Sequence, residues 1–162
     1  MSPPSKYLNT YLNDHLGGST FGLELVRRAA RENQGSERGA FLSQLATEIE
    51  SDREALQAIM AELGVKADRA KVALGWAAEK MGRLKPNAQL RGYSPLSPLI
   101  ELEGLLVGIQ GKLSLWRALA EVAETLGLEP ARLQGLAARA VSQQADVERH
   151  RLDVARRALP AA

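Results

Sequence analysis

The sequence predicts an all-α protein: one domain over residues 1–162, a four-helix bundle whose second and third helices are joined by a long, helix-containing connection at about 64–97. Apolar residues recur at three- and four-residue steps through most of the chain, and no convincing alternating strand pattern interrupts them. The stop and start signals are spaced short, long, short: Gly35, then Gly64 to Ser97, then Gly127 to Pro130. With 45% hydrophobic but only 4% aromatic residues, the interior must be filled largely by Leu and Ala.

Helix 1 is expected from Lys6 to Glu32, with Asn33-Gln34-Gly35 as its stop, and helix 2 from Glu37 to Leu63. Gly64 then supplies a left-handed cap position. Helix 3 opens on Ser97-Pro98, read as an N-cap followed by proline at the first helical position, and runs to Leu126. Helix 4 runs from Pro130 to Leu159. Within the wide connection, Ala70, Leu74, Ala77, Met81 and Leu84 form one apolar stripe on a shorter helix, closed by Pro86. At 1.5 Å per residue each main helix spans about 40 Å. The tight turns pair helix 1 with 2 and helix 3 with 4 as antiparallel neighbours. The long connection can travel back along the bundle, setting helix 3 parallel to helix 2 across the core; the ordinary up-down-up-down order is the alternative.

Composition narrows the function. Lys and Arg number 21 against 19 Asp and Glu, too even a balance for a protein devoted to neutralising phosphates, so no specific nucleic-acid partner is expected. The absence of cysteine removes disulfides, thiolate nucleophiles and cysteine zinc sites. No apolar run is long enough to span a bilayer and the first residues do not form a signal region, so a cytoplasmic protein without a transmembrane segment is expected. No phosphate-binding loop, dinucleotide fingerprint or Gly-x-Ser-x-Gly elbow occurs.

The polar residues that interrupt the apolar seams are the candidates for a site. Helix 2 reads Leu42, Leu45, Ile49, Asp52, Leu56, Ile59, Leu63, placing Asp52 where the period demands a core residue, with Glu48 a turn earlier. Helix 1 reads Leu8, Leu12, His15, Ser19, Gly22, Val26, Ala29. Helix 3 has a stripe through Glu101, Leu105, Gly108, Lys112 and Leu115, and helix 4 offers Gln143 or Gln144 between Ala140 and Val147. His15, Ser19, Glu48, Asp52, Lys112 and Gln144 would form a polar layer about halfway along the bundle. A buried carboxylate must be paired, coordinated or protonated. Here Asp52 is expected to pair with Lys112, with Ser19, His15 or Gln144 completing the hydrogen bonds.

Two further patterns need an account. Gly17, Gly18 and Gly22 on helix 1 and Gly104, Gly108 and Gly111 on helix 3 are costly inside helices. Close approach of the two backbones is the favoured reason, room for a small ligand or a dimer contact the other. From 66 to 91 the chain carries Lys66, Arg69, Lys71, Lys80, Arg83, Lys85 and Arg91 against Asp68 and Glu79, with Trp76 near the apolar edge. Such a helix can meet an acidic partner or a membrane surface.

The paired helices, the long connection and the acids entering the core resemble the ferritin-like superfamily. That resemblance implies a bundle with a crossover and, in members with a dimetal centre, Glu-x-x-His on helices 2 and 4 with a carboxylate from each of helices 1 and 3. The sequence has no Glu-x-x-His: Val147 stands three residues before His150 and Leu12 three before His15. The expected protein is therefore a non-catalytic ferritin-like module for interaction or structure, a homodimer, with a metal-free polar core and no cofactor. The alternative is a divergent dimetal oxidase or iron-handling protein, holding iron or manganese with ligands drawn from Glu24, Glu48, Asp52, Glu101, Asp146 and His150.

Overall fold

Serine side chains start the first two helices. In the computed structural model, which describes residues 4–70 and 93–160, Ser5 Oγ accepts from Leu8 N at 3.1 Å and opens α1 (Lys6–Glu32). Ser36 Oγ accepts from Gly39 N at 3.0 Å and opens α2 (Glu37–Glu62). Each bond satisfies one of the amide donors that the first turn leaves without a partner. The turn between them is tight enough that a Cβ on Gly39 would lie 2.1 Å from the Asn33 carbonyl oxygen, so only glycine fits there. At the far end of α2, Gly64 takes φ 68° and the Val65 amide turns back onto Met60 O at 2.8 Å, closing the helix with a left-handed cap.

The second pair departs from expectation at two places. Helix α3 (Ser97–Glu121) is preceded by Leu96, whose backbone is already in the right-handed helical region, so Ser97 is not the N-cap. Its hydroxyl instead accepts from the Ser94 amide at 3.0 Å and closes the turn that leads into the helix. Helix α3 also stops early: Val122, at φ −112°, breaks the run and leaves a single turn, α4 (Ala123–Leu126), before Gly127 at φ 68°. Helix α5 (Pro130–Ala158) begins with proline in its first turn, where the missing amide costs nothing.

The described residues are all helix, turn and coil, with no strand among them. Helix α1 packs against α2 and α3, and α5 packs against α3 and more lightly against α2. Leu12, Leu16, Leu45, Ile59, Leu102, Leu119, Leu133 and Trp116 are among the side chains fully enclosed between them. Arg28, near the end of α1, meets Glu101 near the start of α3, so these helices run in opposite directions. Glu62 at the end of α2 meets Arg132 at the start of α5, which makes that pair antiparallel as well. Since α1 and α2 fold back on each other through a four-residue turn, α3 points the same way as α2.

The connection is anchored at both of its described ends. Asn13, buried in α1, donates to Lys66 O at 3.0 Å and accepts from Asp68 N at 2.6 Å, holding the chain against the first half of α1. At the other end Asn33 donates to Tyr93 Oη at 2.8 Å. The predicted stripe beyond Ala70 (Leu74, Ala77, Met81 and Leu84) lies outside the described residues, as do Trp76, Lys71, Lys80, Arg83, Lys85 and Arg91. Among the described residues, no helix is long and apolar enough to cross a membrane.

Candidate functional site: a charged layer beside an apolar cavity

Heptad-like spacing places Asp52 inside. On α2 the buried positions run Leu42, Leu45, Ile49, Asp52, Leu56 and Ile59, so the period that buries leucine also buries this acid, which is 2% exposed. On α5 the same spacing runs Leu133, Leu136, Ala140, Gln143 and Val147 and buries Gln143. These two side chains meet between the helices.

The Asp52 carboxylate is surrounded by donors. Lys112 Nζ, reaching across from α3, donates to Oδ2. Arg139 of α5 donates through Nε to Oδ1 at 2.7 Å, and its Nη2 reaches the same oxygen. Gln143 Nε2 lies 3.2 Å from Oδ2 and 3.1 Å from Glu48 Oε2, while its Oε1 accepts from Lys112 Nζ at 2.5 Å. Two carboxylates, two cations and one amide thus form a closed layer. Burial pulls the Lys112 ammonium below its ordinary pKa, opposed chiefly by the neighbouring Asp52 charge.

Three residues expected in this layer lie elsewhere. Gln144 faces outward and donates to Gln110 Oε1 at 2.9 Å, because one residue of helix is a 100° rotation and Gln143 takes the inward position. Ser19 Oγ is spent on its own helix, donating to Leu16 O at 2.7 Å. His15 sits edge-on to Tyr11, ring centroids 4.6 Å apart, with burial holding its pKa below the usual value. The apolar phase of α1 is also shifted: Leu12, Leu16, Leu23 and Val26 are enclosed, whereas His15, Ser19 and Gly22 are not.

The alternative metal ligands do not converge. Glu24 pairs with Arg27, Glu101 with Arg28 and Tyr93, and Asp146 with Arg149. His150 stacks on Phe41 with ring centroids 4.0 Å apart. Glu48 and Asp52 share the Gln143 amide. Among the described residues no three His, Asp or Glu side chains gather as a group able to hold a metal ion.

Glu101 forms a second buried acidic site, near the start of α3 where it faces α1. It accepts from Tyr93 Oη at 2.8 Å and from Arg28 Nε at 3.4 Å. Burial raises its pKa, and the Tyr93 hydrogen bond and the Arg28 charge only partly oppose this. The Tyr93 hydroxyl is pushed up in turn by its own burial and by the adjacent Glu101.

Beside the charged layer, residues of α1, α2 and α3 line a half-open cavity of about 520 Å³ with a predominantly apolar wall. Glycines of α1 and α3 are part of that lining. Among the described residues, a Cβ on Gly18, Gly22, Gly108 or Gly111 would meet nothing within 4 Å, so these residues do not bring the helices together as the spacing suggested. Of the glycines on the facing helices, Gly104 has a near neighbour, Leu25 Cδ2 at 3.1 Å, which is the end of a flexible side chain.

Sequence reasoning missed Arg139, Asn13 and Arg53. Arg139 lies one turn before Gln143, so a search for cations flanking the inward positions of α5 would have found it. No protein-family model matches the chain, and neither a curated protein nor a solved structure is found to match it.

Proposed function

We propose that this chain is a non-catalytic ferritin-like bundle, an interaction or structural module in which protein charge takes the place of a metal centre. The reading includes a long, helix-containing crossover between α2 and α3. It is supported by the antiparallel packing of α1 on α3 and of α2 on α5. The observation that carries the functional proposal is the saturation of Asp52: both carboxylate oxygens are already held by Lys112, Arg139 and Gln143. A divalent ion entering there would have to displace two cations, and Lys112 projects from α3 where a ligand carboxylate would be needed. A homodimeric, cytoplasmic protein belongs to the same reading, and sedimentation would test the dimer.

Elemental analysis of protein purified without chelators tests the metal-free core. Iron, manganese and zinc are each expected well below one equivalent per chain. One or two tightly held equivalents, lost on Asp52→Ala, would overturn the proposal.

A further inference from the structure

The cavity beside the charged layer has three features that no packing argument explains. It is roomy, at about 520 Å³, within the range of small-molecule sites. Gly18, Gly22, Gly108 and Gly111 line it, and a Cβ added at any of them would meet nothing within 4 Å among the described residues. Its wall also holds polar donors without acceptors. Trp116, 1% exposed and lining the cavity, has an indole Nε1 with no hydrogen-bond partner among the described residues. Arg53, also in the wall, has a buried Nε with no partner and no ion pair among the described residues. Buried donors are seldom left unsatisfied. Asp52, the acid beside Arg53 in the chain, cannot serve, because its oxygens are taken by Lys112 and Arg139.

From this we infer that the cavity binds a single-chain amphipathic carboxylate, its apolar tail along the glycine-lined trough of α1 and α3 and its anionic head at Arg53. The apolar wall favours the tail, and an unpaired guanidinium favours a carboxylate, with which it can form two parallel hydrogen bonds. A neutral molecule with the same tail would fill the trough and leave Arg53 unpaired. A short inorganic anion would satisfy Arg53 and leave the trough empty. Asp52 and Lys112 also line this cavity, but the proposed head group is assigned to Arg53 and its binding is read without any metal.

The test is titration of the full-length protein with dodecanoate, with dodecanol and acetate as controls, followed by calorimetry and by indole fluorescence in a Trp76→Phe background. Saturable binding of one dodecanoate per chain is expected, at least tenfold tighter than dodecanol and far tighter than acetate. Arg53→Met should remove the preference for dodecanoate over dodecanol. Gly22→Leu combined with Gly108→Leu should weaken both by tenfold or more while preserving the helical circular dichroism signal. If that pair fails to fold, Arg53→Met alone still decides the head-group assignment. Absence of saturable binding, equal affinity for dodecanoate and dodecanol, or unchanged preference in Arg53→Met would overturn the inference.

Discussion

Two buried acids in this molecule are held in different ways. Asp52 sits between α2, α3 and α5, with two cations and an amide on its two oxygens. Glu101, 7% exposed between α1 and α3, has a tyrosine hydroxyl at 2.8 Å and one guanidinium nitrogen at 3.4 Å. The first is a carboxylate whose charge is answered on every side. The second is a carboxylate whose burial outweighs its partners, so its pKa is raised. Burial alone does not decide how an acid behaves. The number and charge of the donors within reach does.

Removing the better-held acid should produce the larger effect. Asp52→Ala takes away the carboxylate that Lys112 and Arg139 both contact and leaves Glu48 as the layer's one remaining acid, and a loss of about 3–5 kcal/mol is expected in urea denaturation. A loss below about 1 kcal/mol would erase the contrast between the two sites, since exposed ion pairs are worth no more than that.

Glu101 should give a smaller effect with a distinct dependence on pH. Its folded pKa lies above the ordinary 4.5, so the folded state holds the proton more tightly than the unfolded chain. The resulting stability is fully present below that ordinary value and is lost as pH rises through the raised one. Glu101→Gln should therefore change stability by about 1 kcal/mol at neutral pH. Wild type should lose stability relative to this variant as pH rises across the window. Denaturation curves for both proteins over that range check the sign, and a wild type that gains on the variant would contradict it.

How far the sequence carried this picture depends on the kind of order involved. The end of α1 and the start of α2 were legible because the Asn33-Gln34-Gly35 turn is a strong local stop between two helical runs, whereas the capping roles of Ser5 and Ser36 emerged only in the structure. The inward position of Asp52 was legible because the leucines around it fix the phase of α2. The break at Val122 was not, since nothing in the local composition distinguishes it from the helix on either side. Gln143 was confused with Gln144 because adjacent residues of one type leave the phase to be decided by Leu136, Ala140 and Val147 together. Arg139 escaped notice for a different reason. A long side chain can reach the core from a flanking position, so periodicity alone does not flag it. The glycines were misassigned because composition cannot distinguish a close approach from a void; the distances around Gly22 and Gly108 do.

The central claim is that Asp52 is held by cations from the protein itself, and a double-mutant cycle of Asp52→Ala and Lys112→Ala tests it most directly. A coupling energy of at least about 1.5 kcal/mol is expected, because each single variant leaves the other charge buried. Additivity within about 0.5 kcal/mol would contradict the account, showing that the two side chains do not share the burden of the buried charge.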